Sequence, residues 1–357
     1  MPFPSPRSRL TADRLLFAVL MAVVLLAAAV GHDNPAVPSA GATARAVRPV
    51  PATTPAAAPT EALAAAVQLP AGSAAVTAPR SPATKWLPSG KGMWIYEPAK
   101  TEGGNVAAIV AKAKATGLTH LWVRMGSAWD GFNVAPFMDR LLPAAHAAGI
   151  KVIGWDFPKL DPLVPDIQRA TAMIRYTTPS GHRIDAFSPD IESRAEGTRL
   201  TPENARRYGA ALRAAAGEHY PLIVTVPRPS KERPTHPYSE IVAGYDAIAP
   251  MIYWLDRQPD TDVAGALAFL AKFNKPVYPV GQAYDGSPEG GRKGVPPPDE
   301  LYRFMRSAQA HGAAGISFWS WQAANQPAWN AIREGVEFRV SEVRPPAISA
   351  VEELHAL

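Results

Sequence analysis

From residue 91 onward one unit recurs eight times: a short β-branched or aromatic run, a polar loop, and an Ala/Leu-rich stretch with helical spacing. Strand candidates occupy 93–97, 119–125, 151–157, 183–192, 221–228, 245–254, 275–282 and 314–321, each followed by a helix candidate. Helix punctuation is a separate signal. Thr201-Pro202-Glu203 reads as an N-cap with proline at the first helical position, and Gly117, Gly149 and Gly312 stand where helices should stop. Strand and helix alternating eight times over 91–337 predict an α/β chain closed into a (β/α)8 TIM barrel. A doubly wound open sheet is the alternative, but nothing would make it stop at eight regular units.

The ends do not share this pattern. Arg7, Arg9 and Arg14 precede an unbroken apolar run from Leu15 to Val30, the order of a signal peptide or signal anchor, assigned to 1–31. Residues 32–90 are rich in Ala, Pro and Thr and show no sustained period, so they are read as a disordered linker. Residues 338–357 form a C-terminal tail. The expected arrangement is an extracytoplasmic barrel, secreted or held at a membrane or cell envelope by the N-terminal segment.

The chain has no cysteine, which excludes a disulfide framework and thiolate metal sites, so the barrel must be held by its own core. The net charge of +5 is not gathered into Lys/Arg runs, which speaks against a nucleic-acid partner. A monomer without cofactor is expected.

In a TIM barrel chemistry sits where strands end. His120, His146, His182, His219 and His311 lie at or before strands, and only His236 sits in a loop after one, which disfavours a multi-histidine metal site. Lys151 and Lys275 open their strands, leaving no obvious Schiff-base lysine. The residues that close strands are Glu97, Arg124, Asp156, Asp190, Glu192, Arg228, Tyr253, Gln282, Trp319 and Trp321. That mixture suits a sugar: indole faces stack on the apolar face of a pyranose, and carboxylates and amides bond its hydroxyls. Trp122 and Trp155 are expected instead to pack between barrel and helices.

The octet Asp185-Ala-Phe-Ser-Pro-Asp-Ile-Glu192 concentrates the acids. Strand parity puts Ala186, Ser188, Asp190 and Glu192 on one face and Phe187, Pro189 and Ile191 on the other, so the small and acidic set should point into the barrel. Two inward carboxylates repel each other, which raises the proton affinity of at least one, as an acid catalyst near neutral pH requires. The plainer alternative is a solvated or salt-bridged strand end.

This octet resembles the strand-four signature of the family 18 glycoside hydrolases, the chitinase-like enzymes, written Asp-x-x-Asp-x-Asp-x-Glu. Asp185, Asp190 and Glu192 match its first, third and fourth acids, and Ser188 replaces the second. Met251-Ile252-Tyr253 resembles the family's Met-x-Tyr, and Gly315-Ile316-Ser317-Phe318-Trp319-Ser320 its strand-eight segment. An uncharacterised relative of that group fits equally, since other sugar-cleaving barrels share an Asp-x-Glu and a Trp-rich final strand. The resemblance implies substrate-assisted, retaining hydrolysis of an amino-sugar polysaccharide. Glu192 would be the acid, Asp190 would orient and stabilise the acetamido group, Tyr253 would bond it, and Trp319 would lie under the ring. Asp185, Asp156, Glu97, Arg124, Arg228, Gln282 and Trp321 would help bind substrate.

Two other readings compete. One is a carbohydrate-binding barrel that has lost turnover, distinguishable by whether Asp190 and Glu192 lie in a deep cleft or on an open shelf. The other, a barrel for phosphorylated metabolites, draws on the Gly-rich basic loop Gly286–Gly294.

Overall fold

The computed structural model describes residues 85–231 and 233–338. The apolar run at 15–30, the linker at 32–84 and the tail from 339 lie outside these residues. No described helix is long and apolar enough to cross a membrane.

Strands β1 (Lys91–Ile95), β2 (Leu118–Ser127), β4 (Lys151–Phe157), β5 (Ala186–Pro189), β6 (Ile223–Pro227), β7 (Ala247–Ile252), β8 (Val280–Gln282) and β9 (Ile316–Trp319) form the sheet, in the order β5-β4-β2-β1-β9-β8-β7-β6. The pairings along this path are parallel; β3 (Gly131–Phe132) is a short antiparallel addition to β2. Parallel bridges from Phe187 to Leu222 and from Asp190 to Thr225 join β5 to β6, so the ring closes. The helices that follow the barrel strands are α1 (Val106–Ala115), α2 (Ala135–Ala147), α3 (Leu163–Arg175), α4 (Pro202–Ala216), α5 (Tyr238–Val242), α6 (Pro259–Leu270), α7 (Pro298–Ala310) and α8 (Gln326–Glu334). The molecule is a (β/α)8 barrel.

The local signals act as their chemistry requires. The Thr201 side chain accepts from the Asn204 amide at 3.1 Å and caps α4, ahead of Pro202 at its first turn. Gly117, Gly149 and Gly312 follow their helices with φ of 71°, 74° and 78°, where a side chain would be strained.

Parity divides the core in two. Trp94, Trp122, Ile153, Trp155, Ala186, Ile223, Ala249 and Val280 fill the barrel. Phe187, Ile191, Val224 and Ile248 face out to the helix layer. Trp122 and Trp155 are therefore barrel-interior residues, not the barrel-to-helix packing expected of them. Small residues on the far wall, Ala186, Ala247 and Ala249, leave room for indoles. Trp94 stacks on Trp122 at 4.6 Å between ring centroids and donates to Ser317 Oγ at 2.8 Å.

The segment just before β1 also departs from its reading as linker. Trp86 and Leu87 pack against the interior cluster, Lys85 pairs with Asp246 at 2.6 Å, and the Ser89 carbonyl accepts from Thr119. These contacts lie at the N-terminal ends of the strands and cover that mouth of the barrel. The ordered domain thus begins by residue 85, because an aromatic and a leucine interrupt the Ala/Pro composition there.

Beside that mouth, Gly92 makes space for His120, which is 1% exposed and held neutral by burial, its pKa pushed down to about 3. A Cβ at position 92 would lie 2.2 Å from His120 Nε2. Gly92→Ala is therefore expected to lower stability by about 1–3 kcal/mol in denaturant titration, as overpacking does. A change within about 0.5 kcal/mol would mean the imidazole can swing clear.

Candidate active site

Asp190 follows β5 directly. Its amide donates to the Asp156 carbonyl at 2.8 Å and its bridge to Thr225 fixes the neighbouring strand. Pinned on both sides, its side chain takes the inward parity of Ala186 and Ser188. Asp190 is 7% exposed, and its Oδ1 is buried without a hydrogen-bond partner among the described residues. Burial, then the charges of Glu196 and Asp156, push its carboxyl up to about 7. Glu192, half-buried two residues on, is pushed well above the ordinary range by burial and by the Asp190 and Glu196 charges, with Arg233 opposing. Two acids, two residues apart and both with raised proton affinity, thus share the C-terminal mouth.

Tyr253 reaches the same place from the end of β7. Its ring meets Tyr284 edge-on at 5.3 Å, and burial, Tyr284 and the Asp190, Glu192 and Glu289 charges all raise its hydroxyl pKa. Trp319, half-buried at the end of β9, packs at 5.5 Å from Trp155 and 5.8 Å from Tyr96. Asp190, Glu192, Tyr253 and Trp319 therefore all sit at the C-terminal ends of strands. Glu97 and Arg124 reach that face too, beside a cavity of about 290 Å³ at the ends of β1 and β2.

Other candidates stand elsewhere. Asp185 precedes β5 at the opposite end of the barrel, pairing with Lys151 at 2.8 Å and His146 at 2.9 Å and accepting from the Val152 amide. An acid five positions before Asp190 on an extended chain cannot reach the same mouth. Asp156 has the parity opposite to the inward Trp155; it faces the helix layer, fully buried, where Arg169 of α3 grips both oxygens. Gln282 spends its amide on loop backbone, accepting from Leu255 N and donating to the Tyr284 carbonyl. Arg228 pairs with Asp262 of α6 at 3.5 Å. Trp321 is 4% exposed, packed at 4.8 Å against Trp329 and donating to Glu102, so it belongs to the helix layer.

Ser188, which stands where the resembling signature has an acid, is fully buried and shares a 2.9 Å hydrogen bond with Thr225. It braces β5 against β6. The charge that an acid there would exert on Asp190 comes instead from Glu196 and Asp156.

Sequence reasoning missed Glu196, Glu289, Tyr284 and Tyr96. Glu196 and Glu289 come from loops, where no periodicity marks a direction. Glu289 lies in the Gly-rich loop singled out for its basic residues, yet there Arg292 is paired with Glu300 while Glu289 accepts from Tyr284 at 2.9 Å. The loop delivers an acid to the site. His236 sits after β6 as expected, its pKa pushed down to about 4 by burial and by Arg233.

The raised carboxyl of Asp190 has a consequence for stability. A group that binds its proton more tightly folded than unfolded stabilises fully below its unfolded pKa, and that contribution is lost as pH rises toward the folded value. For Asp190 the window runs from about 4 to about 7. Asp190→Asn removes this loss, so it should melt higher than the parent at pH 8 and much closer to it at pH 4. Equal melting differences at both pH values would place Asp190 in a solvated, unperturbed setting.

No family model matches the chain, and no curated protein matches it. Among solved structures, a GH113 beta-1,4-mannanase superposes with a TM-score of 0.52 at 10% identity, covering 68% of this chain and 96% of that one. A chitinase from Chromobacterium violaceum superposes with a TM-score of 0.50 at 13% identity, covering 70% of this chain and 99% of that one. At these identities the likeness is one of fold: the chain shares its (β/α)8 barrel with these structures.

Proposed function

We propose that this barrel is a glycosidase that cleaves an amino-sugar polysaccharide of the chitin, peptidoglycan or exopolysaccharide kind. The observation that carries this reading is the Asp190 and Glu192 pair, set side by side at the catalytic mouth with raised proton affinity, the Asp190 Oδ1 buried without a hydrogen-bond partner among the described residues. A binding barrel that had lost turnover would have no use for two such costly groups. An open shelf would leave them solvated, whereas Asp190 is more than nine-tenths buried.

In this reading Glu192 gives its proton to the glycosidic oxygen as the C1–O bond breaks. The carbonyl oxygen of the sugar's own 2-acetamido group attacks C1 from the other face, forming a cyclic oxazolinium. Asp190, ionised, stabilises the positive charge that grows on the acetamido nitrogen. Tyr253 bonds the acetamido group and Trp319 supports the ring. Water then opens the oxazolinium at C1 while Glu192 takes its proton, so configuration is retained. A barrel held outside the cytoplasm by residues 1–84, acting as a monomer without cofactor, completes the reading.

Activity should follow a bell in pH. The acid limb reflects protonation of Asp190 near its value of about 7, and the alkaline limb the loss of the Glu192 proton at higher pH. The stereochemical test is proton NMR of the first products from β-linked oligomers of N-acetylglucosamine. β-Anomers appearing first support the mechanism, and α-anomers appearing first rule it out.

A further inference from the structure

Positive charge that the sequence does not gather into runs is gathered by the fold. Helices of a (β/α)8 barrel run back against its strands, so helix C-termini and strand starts share one face, opposite the mouth. Lys114 and Arg175 stand in the last turns of α1 and α3, Arg183 in the loop before β5 and Lys272 just past α6, all four exposed. None of the four has a carboxylate at ion-pair distance among the described residues. The inner acids of this face are already held, Asp185 by Lys151 at 2.8 Å and Asp246 by both Lys85 and Arg213 at 2.6 Å. Exposed Glu218 and Glu337 offset only part of the excess.

Helix ends account for where these cations stand, but not for the surface they make. Arg183 donates to the Ile174 carbonyl at 2.9 Å, which fixes it while its charge stays exposed. A helix C-terminus carries about half a negative charge, less than each cation brings. Partly exposed aromatics accompany the lysines. Lys272 Nζ lies 3.9 Å from the ring centroid of Phe269 and 5.1 Å from that of Phe273, and Phe269 is 39% exposed in the last turn of α6. Lys151 Nζ lies 5.6 Å from the ring centroid of half-buried Trp86. Lysine beside such rings suits a bilayer surface, where the ring sits at headgroup level and the ammonium meets phosphate.

At the mouth the sign reverses, with Asp190, Glu192, Glu196 and Glu289 set against Arg233. An anionic surface therefore attracts one end of the barrel and repels the other. Residues 1–84, whose sequence holds the apolar run Leu15–Val30, join the barrel at the basic face, where Lys85 and Trp86 pack. We propose that this face, at the strand starts, docks on an anionic lipid bilayer and so holds the carboxylate mouth pointing away from it. The docking does not rest on the glycosidase reading.

The chain has no cysteine, so a single introduced thiol carries a single dye. The full chain is labelled at Thr177→Cys, exposed near Arg175, or at Ala195→Cys, exposed at the mouth, and mixed with vesicles whose headgroups carry a quencher. On equal parts phosphatidylglycerol and phosphatidylcholine, the Thr177→Cys dye is expected to be quenched about threefold or more over the Ala195→Cys dye, and the excess to fade at about 1 M salt. Lys114→Glu combined with Arg175→Glu and Lys272→Glu should bring the two labels level, and Phe269→Ser should reduce the excess, each with a cooperative melt retained. Where the reversed variant does not fold, the comparison of the two labels decides alone. Equal quenching at both positions, none at either, or the same excess on pure phosphatidylcholine would overturn the proposal. So would soluble polyglycerol phosphate that removes the excess at equal phosphate concentration, which would assign the face to a wall polymer.

Discussion

Glu192→Gln is expected to lower turnover by about 10²–10⁴-fold with little change in substrate affinity, because the amide keeps the side chain's shape and removes the proton it would transfer. The position supports the size of the effect. Glu192 stands half-buried beside Asp190, and burial and the charges of Asp190, Glu196 and Glu289 hold its proton on well above the ordinary carboxylate range. Asp190→Asn should also slow the reaction, since a neutral amide cannot answer the charge on the acetamido nitrogen. The double variant should be little slower than the worse single one, because both groups act in one event. Rates on any cleaved oligomer, with affinity from calorimetry, check both statements.

Arg169→Ala is expected to be the most damaging single change to stability, about 3–5 kcal/mol, because it strands a buried charge. Arg169 joins Asp156 at 2.9 Å to Asp166 at 2.6 Å, and Asp156 has no exposed surface. Even with Arg169 present, burial pushes the Asp156 carboxyl up to about 6. Without it, protonation is the remaining way to neutralise the group, so the defect in urea titration should be larger at pH 8 than at pH 5. A loss of equal size at both pH values would assign the role of Arg169 to packing alone.

The barrel was legible because its signals are local and repeated: strand parity, helix caps and closing glycines each specify a neighbour within a few residues. The inward face of the octet was legible for the same reason, since alternation alone separates Ala186, Ser188 and Asp190 from Phe187 and Ile191. Parity also held the answer for Asp156, which alternates against Trp155, but a strand-end acid looked like a ligand for substrate until Arg169 of α3 was seen across from it. Partners of that kind come from distant positions. The same holds for Trp321, whose Trp329 and Glu102 partners lie on other elements, and for Gln282, which loop backbone claims. Glu196 and Glu289 stayed hidden because loop direction is set by tertiary contacts and leaves no period in the chain.

Product analysis by mass spectrometry tests the central claim most directly. The full chain and Glu192→Gln would be incubated with chitin oligomers, peptidoglycan strands and an amino-sugar exopolysaccharide, each in N-acetylated and de-N-acetylated form. The account predicts shortened products from at least one N-acetylated substrate, none from its de-N-acetylated counterpart, and almost none with Glu192→Gln. Equal product from the parent and Glu192→Gln, or binding of these polymers by the parent with no cleavage of any, would contradict it.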